Sequence, residues 1–441
     1  MFQSFETVAD SRSSVSRLAS LRAALADAGF DAFLVPRTDA HQGETVAPCD
    51  ERLAWLTGFT GSAGAALVTA DRAALFVDGR YTLQAAAESD AAAFEVVASQ
   101  RVTPSAWLIE TLGAEAAAAL RLGFDPMLHG RAEIDRLAEA LGRRPEPLSP
   151  NPIDALWEDR PPRPAGAIAV HPESLAGEAA GAKRSRLGKA LAEGGSDAAL
   201  LTLPDSIAWL LNIRGSDLVH SPVSQGFAIL EADGRVTLFT EPEKIDGAVA
   251  AHLGNAVTVA APDTLLPALA GLSGRKVLVD RASCPLAFTA ALEEAGAGLV
   301  WGADPCIAAK AIKTEAELAG IRAAHIRDGA AFVRFLHWLE TALAAGEPLT
   351  EIAIASTLER FRHETGALLD IAFDTICGSG PNGAIVHYRV NRATDRTLQP
   401  GEILLVDSGG QYRDGTTDIT RTLATGPADA EAARAFSTSV K

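Results

Sequence analysis

The sequence predicts an α/β (α+β) protein, with two similar α/β domains in series and then an incomplete third domain of helices followed by strands. Three observations support this prediction. One helix–strand–hairpin pattern occurs twice, a proline-rich segment separates the two copies, and the pattern after the second copy changes from helices to strands. A chain of 441 residues also exceeds an ordinary single domain. We therefore expect domains at residues 1–155, 156–302 and 303–441.

The first copy of the pattern begins with an amphipathic helix over residues 14–28, in which apolar side chains recur at helical spacing. A glycine ends this helix, and the apolar segment DAFLVP at residues 31–36 has the composition of a buried strand. Apolar runs at residues 65–69 and 73–78 flank a short polar turn, which predicts a hairpin. The order helix, strand, hairpin is typical of an α/β domain.

The second copy follows the same order. A helix is expected over residues 184–193, and DAALLT at residues 197–202 corresponds to DAFLVP. The motif Ala-Trp-Leu also occurs in both copies, at residues 54–56 and 208–210. We interpret this as an internal duplication, in which the first copy carries an additional loop at residues 37–51.

A proline-rich segment at residues 143–166 separates the copies. It contains seven prolines, at positions 145, 147, 150, 152, 161, 162 and 164. Proline has no backbone N–H and a fixed φ, so this density should prevent helix and ladder formation. We expect a linker at this point.

The third region begins with helical signals. A capping box at Thr314 and Glu317 opens a helix that runs towards His325, a second helix is expected over residues 330–343, and a third begins near Thr350. Strand-like segments follow at residues 373–377 and 384–390 and in the stretch from Gly401 to Thr422. A last helix from Ala428 places Phe436 and Val440 one turn apart and reaches Lys441 without a cap, so this region is expected to be cut partway through.

Two acidic residues lie in unexpected places in the segment GEILLVDSGGQYRDGTTDITRT, residues 401–422. This segment predicts two strands joined by a turn at residues 412–415. Because side chains alternate along each strand, Asp407 and Asp418 should lie on one face of the hairpin. Two neighbouring carboxylates repel each other unless a positive charge lies between them, and hard divalent cations prefer carboxylate oxygens. The sequence therefore favours a site for a pair of divalent cations. Without a further indication, capping of backbone donors is an equal alternative for both residues.

The composition excludes several classes of partner. The net charge of −17 argues against nucleic acid and against anionic membranes, because both require basic patches. The four cysteines form no CxxC pair, and we expect small buried residues in a reducing compartment. The N-terminus has no signal-peptide pattern, and no apolar run approaches the ~20 residues that span a bilayer. We expect a cytoplasmic protein.

At six places the residues are similar to one known family. The segments are DAHQGETVAPCDERLAWLTGFTGSAG, ALFVDGRYTLQA, SIAWLLNIRGSDLVHSPV, KTEAELAGIRAAHIRDGAA, GSGPNGAIVHYRV and VDSGGQYRDGTTDITRT. In this order they resemble the cytosolic-type Xaa-Pro aminopeptidases, the three-domain form of aminopeptidase P. The resemblance implies two creatinase-like N-terminal α/β domains followed by an incomplete pita-bread catalytic domain. It also implies a homodimer and release of the N-terminal residue from peptides with proline in second position.

The resemblance implies roles for particular residues. It implies two divalent metal ions, usually manganese, with Asp407 bound to one metal and Asp418 bridging both. His387 takes the place of a histidine that binds substrate or shuttles a proton. Arg80 and His41 are expected to face the catalytic cleft. The alternatives are a hydrogen-bonded core histidine at position 387, and an Arg80 that only pairs with an acid of its own domain.

One departure from the family is expected to matter for activity. The remaining three ligands of the family, a histidine and two glutamates, lie beyond the DGTTDITRT segment, and this chain has no histidine after His387. We therefore expect a fragment, inactive unless the natural protein is longer. The alternatives are a catalytically dead pita-bread binding module and a creatinase-like hydrolase. The duplicated first half and the two aspartates argue against the hydrolase.

Overall fold

A computed structural model describes residues 1–428 and 430–439, and Val440 of the predicted last helix lies outside the described residues. The contacts divide the chain into two compact units. The N-terminal unit is Ala9–Thr314, and the C-terminal unit combines Met1–Val8 with the chain from Glu315 onward. No helix among the described residues is long and apolar enough to cross a membrane.

The N-terminal unit alternates helices and strands. Its helices are α1 (Ser14–Asp27), α2 (Arg52–Thr57), α3 (Thr82–Glu88), α4 (Pro104–Leu112), α5 (Ala114–Ala119), α6 (Arg131–Leu141), α7 (Pro152–Leu156), α8 (Glu173–Ala176), α9 (Ala180–Glu193), α10 (Pro204–Leu211), α11 (Gly247–Leu253), α12 (Leu265–Ala270), α13 (Leu286–Glu294) and α14 (Pro305–Ala311). Its strands are β1 (Ala32–Pro36), β2 (Ala65–Thr69), β3 (Ala73–Val77), β4 (Glu95–Ala98), β5 (Leu122–Phe124), β6 (Glu146–Pro147), β7 (Ala169–Val170), β8 (Ala198–Leu201), β9 (Ile213–Arg214), β10 (Phe227–Glu231), β11 (Val236–Phe239), β12 (Val257–Ala260), β13 (Lys276–Val279) and β14 (Gly298–Trp301).

The C-terminal unit begins with helices and continues with short strands. The helices are α15 (Glu315–Ala344), α16 (Glu351–His363) and α17 (Ala430–Ser439). The strands are β15 (Asp370–Ile371), β16 (Ile376–Ser379), β17 (Ile403–Ser408), β18 (Gly410–Tyr412), β19 (Gly415–Thr416) and β20 (Ile419–Ala424). A short 3-10 helix, Gly380–Ala384, follows β16.

The N-terminal unit contains the same sheet twice. The strand orders are β4-β3-β2-β1-β5-β6 and β12-β11-β10-β8-β13-β14. In both sheets the first strand pairs antiparallel with the first strand of the hairpin, and the two hairpin strands pair antiparallel with each other. The remaining strand pairs are parallel. The two first strands, β1 and β8, have the corresponding residues buried at Ala32–Val35 and Ala198–Leu201. This identical topology confirms the predicted duplication.

The prediction for the proline-rich segment was wrong in part. Strand β6 and helix α7 lie inside it. Pro152 opens α7, where a missing N–H breaks no intrahelical bond, and the Asn151 side chain caps the helix by accepting from the Ile153 amide. The prolines therefore limit the length of these elements without preventing them. A separate difference concerns helix α9, which begins at Ala180, four residues before the predicted start.

The predicted break between two helices in the third region was also wrong. Helix α15 is continuous over 30 residues. Gly329, in the middle of the helix, lowers helix stability by about 1 kcal/mol relative to alanine. The packing of Phe332 and Phe335 in the core outweighs this local loss. Asp328 does not end the helix, because its carboxylate is buried and bonded to Arg362.

The predicted strand at residues 384–390 is absent from the described structure. Gly380 to Ala384 forms the 3-10 helix, and the chain then continues irregularly to Val390. Tyr388 and Val390 are buried, which explains their apolar pattern, but they pack in the core without joining a sheet. The preceding strand begins at Ile376 rather than Phe373, because its partner β17 pairs with residues 376–379.

The first eight residues belong to the C-terminal unit, and we name them the N-terminal strap. Phe5 is part of the hydrophobic core of this unit. The Gln3 side chain accepts from the Thr375 amide at 3.0 Å and donates to the Thr375 carbonyl at 3.3 Å. The strap therefore fixes the chain directly before β16. Nothing in the local sequence indicated this distant contact.

Candidate metal centre and associated residues

The two aspartates lie on neighbouring parts of one antiparallel ribbon. Strand β17 pairs with β20, and Asp407 is directly opposite Thr420. Asp418 lies two residues before Thr420, and its carboxyl group interacts with that of Asp407, as expected for side chains on one face. The predicted hairpin is confirmed with one correction. Its second strand is interrupted at Thr417 and Asp418, so that Asp418 stands between β19 and β20 rather than within a strand.

The interruption is a bend in the ribbon that only glycine permits. A Cβ on Gly409 would lie 2.0 Å from the carbonyl oxygen of Thr417. The Thr417 hydroxyl in turn accepts from the Gly410 amide at 3.0 Å. Beyond the bend the ribbon leaves the sheet of β16, β17 and β20 and joins that of β15, β18 and β19. The bend thus fixes where the two carboxyl groups meet.

The carboxyl groups of Asp407 and Asp418 interact directly. They are close enough for Asp407 to act on the pKa of Asp418, and Thr420 Oγ1 donates to Asp407 Oδ1 at 2.7 Å. Partial burial, together with the charge and hydrogen bond of Asp407, raises the pKa of Asp418, while the charge of Arg362 acts in the opposite direction. Two neighbouring carboxyl groups disfavour each other's charge, and a cation between them would relieve this repulsion.

The donor set fits a hard divalent cation, because it consists of carboxylate oxygens on one open face. It is small, however. Within residues 1–428 and 430–439 there is no group of three or more His, Cys, Asp or Glu side chains that could hold a metal. The described residues therefore offer two neighbouring carboxylates and no complete coordination shell.

A buried ion pair lies behind the aspartates. Arg362 and Asp328 are fully buried and form two hydrogen bonds, of 2.7 and 3.1 Å. Tyr412 donates to Asp328 at 2.7 Å, and Arg362 Nη2 lies 3.4 Å from the carbonyl oxygen of Ser408, next to Asp407. Burial and the bond to Asp328 raise the pKa of Tyr412. The sequence prediction missed this network, although charged residues on the core faces of α15 and α16 are a signal for it.

His387 lies in the same unit as the aspartates. It follows the 3-10 helix after β16, and β16 pairs with β17 so that Ile376 is opposite Asp407. The His387 side chain is half-buried, whereas its neighbour Tyr388 is buried. The sheet therefore joins the segment of His387 to the strand of Asp407. Its role in substrate binding stays a prediction.

Arg80 lies in the N-terminal unit, in the loop after β3. Its guanidinium pairs with Asp78 at 2.6 Å, is 3.9 Å from Glu44 and lies over the Tyr81 ring. This is the pairing within its own domain that the sequence left open as an alternative. The side chain remains partly exposed. A substrate-binding role for Arg80 stays a prediction.

His41 is buried inside the N-terminal unit, with an exposed fraction of 7%. Its ring stacks on Phe227 at 4.4 Å, and Nδ1 lies 3.0 Å from the carbonyl oxygen of Thr202. Asp39 of the same loop accepts from the Gln225 side chain at 2.9 Å. The additional loop of the first copy thus fastens the first α/β half to the second.

Replacement of His41 by alanine should lower the stability of the N-terminal unit by about 1–3 kcal/mol, because an aromatic contact and a buried hydrogen bond are lost. Urea unfolding measured on this unit checks the expectation. Glu44→Ala, on the exposed side of the same loop, should stay within about 0.5 kcal/mol. A His41 that bound substrate instead would leave stability unchanged and raise KM when removed.

The sequence comparisons agree with this architecture. Residues 17–156 and 159–317 match models of the Creatinase/Prolidase N-terminal domain, and residues 319–441 match Metallopeptidase family M24. Aminopeptidase P2 of Arabidopsis thaliana is 35% identical, over 92% of this chain and 62% of its own length. The probable Xaa-Pro aminopeptidase P of Penicillium rubens is 36% identical, over 96% of this chain and 71% of its own.

A solved structure has the same fold over nearly the whole chain. It is the X-prolyl aminopeptidase from Caenorhabditis elegans, described as a cytosolic enzyme with a di-nuclear active site. The TM-score is 0.88 at 30% identity, and the match covers 95% of this chain and 71% of the other.

The duplicated N-terminal domains and the M24 domain with its carboxylate pair define a metallopeptidase of the creatinase and prolidase type. Within this class, the chain belongs to the Xaa-Pro aminopeptidase P family. The predicted resemblance is confirmed. The chain spans 62% of the length of the Arabidopsis relative and 71% of the Penicillium relative.

Proposed function

We propose that this chain provides part of the active site of an Xaa-Pro aminopeptidase, which releases the first residue of peptides with proline in second position. The observation that carries the proposal is the pair Asp407 and Asp418, two neighbouring carboxyl groups on the β17–β20 ribbon in the region that matches the M24 family. We further propose that the site binds two divalent metal ions, and that these ions are manganese. Asp407 would bind one ion and Asp418 would bridge both.

The chain's own residues would prepare this site. Thr420 orients Asp407 through its hydroxyl, and the positive charge of Arg362 favours ionised Asp418. Bound divalent ions would polarise the scissile carbonyl and make a water molecule nucleophilic near neutral pH. His387 would bind the peptide or carry a proton, and Arg80 and His41 remain proposals for substrate contacts. A dedicated site is needed because the bond before proline is a tertiary amide without an N–H.

The proposal includes a limit on the 441-residue chain. A dinuclear site with family-like affinity requires further ligands beyond the two carboxylates that the described residues supply. We therefore expect hydrolysis only when a histidine and two glutamates from elsewhere complete the site. The proposed setting is the cytoplasm, with proline-containing peptides as substrates and a homodimer as the assembly. The division into three domains at 155/156 and 302/303 also stays a proposal.

Arginine release from Arg-Pro-Pro with added Mn²⁺ tests the proposed function. The 441-residue chain should show no turnover, and a longer product of the same reading frame should show it. In the active form, Asp418→Asn should lower kcat/KM by more than ~100-fold, since even residues outside the coordination shell contribute 10–100-fold.

Asp414→Asn is the matched control, because Asp414 lies on the same ribbon but pairs with Arg327 at 2.9 Å. This variant should keep most of the activity. Full turnover by the 441-residue chain would refute the assignment of the ligands. A longer product that binds peptide without cleaving it would indicate a binding module instead.

A further inference from the structure

Helix α16 carries a buried carboxylate at its first residue, Glu351, whose exposed fraction is 0%. Among the residues that the structure describes, no lysine or arginine lies within ion-pair distance of it. One of its oxygens, Oε1, accepts from the Ser379 amide at 2.6 Å and from the Ser379 hydroxyl at 2.9 Å. Ser379 is the last residue of β16. Glu351 therefore holds the start of the segment that contains His387.

The other oxygen holds the end of the same segment. Oε2 accepts from the Asn382 amide group at 2.9 Å and from the Tyr388 hydroxyl at 3.0 Å. Tyr388 directly follows His387 in the chain. One carboxylate thus connects three points of residues 379–388, which we name the His387 segment.

Contacts from the returning chain complete this arrangement. The Tyr388 hydroxyl lies 2.8 Å from the Thr394 hydroxyl. The Ile352 amide, in the first turn of α16, donates to Asp395 at 3.0 Å. The buried Tyr388 is therefore held between α16 and residues 394–395, and the carboxylate of Glu351 lies at this contact.

The energetics make the carboxylate and the segment depend on each other. A buried charge costs several kcal/mol unless hydrogen bonds compensate it. Among the described residues, the hydrogen-bond donors to the Glu351 carboxylate come from the His387 segment. The positive charge of Arg396, which donates to the Ser379 hydroxyl at 2.8 Å, adds to the compensation from nearby. The hydrogen-bonded part of the compensation exists only while the segment keeps this conformation. Departure of Tyr388 or Ser379 would leave a buried carboxylate with unsatisfied oxygens.

We propose that Glu351 is a positioning residue, which holds the His387 segment so that the His387 ring is presented in one orientation. The proposal rests on the proposed function for the chemical role of His387. Glu351 does not touch the reacting atoms. It acts through the hydroxyl of Tyr388 and the side chain of Asn382.

The same helix supplies a matched control. Glu359 lies two turns further along α16 and is also buried, with an exposed fraction of 4%. Its carboxylate accepts from the amides of Phe2 at 2.6 Å and Gln3 at 3.2 Å. It therefore holds the N-terminal strap in the way that Glu351 holds the His387 segment. Glu351→Gln and Glu359→Gln make the same chemical change at two buried sites.

Hydrogen exchange and NMR of the 441-residue chain test the proposal without requiring turnover. Glu351→Gln should increase amide exchange in residues 380–388 by about tenfold or more, because charge-assisted bonds to this segment are lost. It should also shift or broaden the ring signal of His387 in ¹³C-labelled histidine spectra. Glu359→Gln should instead increase exchange in residues 1–8 and leave the His387 signal in place. Equal effects of the two variants on His387, or none, would overturn the proposal.

A milder variant decides the case in which Glu351→Gln does not fold. Tyr388→Phe removes one donor to Oε2 and the contact of the same hydroxyl with Thr394, but it keeps the carboxylate and its bonds to Ser379 and Asn382. It should change the His387 signal in the same direction by a smaller amount. An unchanged signal would overturn the proposal.

In a hydrolytically active form, Glu351→Gln should lower kcat by about tenfold, the equivalent of about 1.4 kcal/mol, and should change KM less. An unchanged kcat would overturn the positioning role. Absence of hydrolysis in every form would refute the proposed function, and the exchange and NMR results then decide the role of Glu351 by themselves.

Discussion

Replacing Arg362 by methionine should destabilise the C-terminal unit by about 3–5 kcal/mol, because the change leaves an uncompensated charge in the core. Arg362 is completely buried and makes two bonds to the equally buried Asp328. Methionine is similar in length, so the loss is electrostatic more than steric. Tyr412 also donates to Asp328, but one hydroxyl does not replace a guanidinium.

Pulse proteolysis in urea, with fragments identified by mass spectrometry, measures the stability of each unit separately. Arg360→Met is the matched control on the same helix. The Arg360 side chain is 55% exposed and pairs with Glu364 at 2.8 Å across one helical turn, so its loss should cost less than about 0.5 kcal/mol. Similar losses in the two variants would contradict the assignment of a buried ion pair.

A second variant separates charge from packing. Changing both members of the pair, as Asp328→Leu with Arg362→Met, removes the unpaired carboxylate that the single variant leaves. The double variant should therefore be more stable than Arg362→Met alone. A double variant that is less stable than Arg362→Met would show that the packing of these side chains, and not their charges, dominates.

The duplicated part of the fold could be predicted because its signals are local. Helix α1 follows from leucines at helical spacing, and β1 and β8 follow from runs of four buried apolar residues. The two copies then reinforced each other, since the same order of elements at two places makes chance similarity improbable. The identical strand order of the two sheets is the structural result of that pattern.

The errors have a common physical cause, which is that distant partners overrode local preference. Gly329 should weaken a helix, yet core packing keeps α15 continuous. Residues 384–390 have the composition of a strand, yet no neighbouring strand in the described structure pairs with them. The N-terminal strap shows the same effect, because Gln3 is bonded to Thr375, 372 residues away.

The candidate site was predictable to the extent that side-chain periodicity determined it. Side-chain alternation along a hairpin was enough to predict that Asp407 and Asp418 are neighbours, although Asp418 lies just outside β20. It could not show the bend between them, the buried Arg362 behind them, or the buried Glu351 that holds the His387 segment. Both charged residues belong to α16, and only the tertiary structure brings them to the strands.

Gly409→Ala is the variant with the largest expected steric effect, and it should destabilise the C-terminal unit by about 3 kcal/mol, the upper end of the usual range for overpacking. The new methyl group would lie 2.0 Å from the Thr417 oxygen and 2.8 Å from the Ala372 side chain. Neither neighbour can move alone, because the Thr417 amide bonds to the Gly410 carbonyl and the Ala372 amide bonds to the Gly409 carbonyl. The backbone must therefore shift on both sides of the bend.

Gly329→Ala is the control for the same chemical change at an open position. A Cβ at Gly329 meets no atom within 4 Å, so alanine in the middle of α15 should stabilise the unit by about 0.4–1 kcal/mol. Urea unfolding of the two variants should therefore give effects of opposite sign. Since Asp407 lies two residues before Gly409 and Asp418 directly follows Thr417, hydrogen exchange over residues 403–424 should rise only in Gly409→Ala. Unchanged exchange there would mean that the ribbon tolerates the methyl group, and that the bend does not determine where the two carboxylates meet.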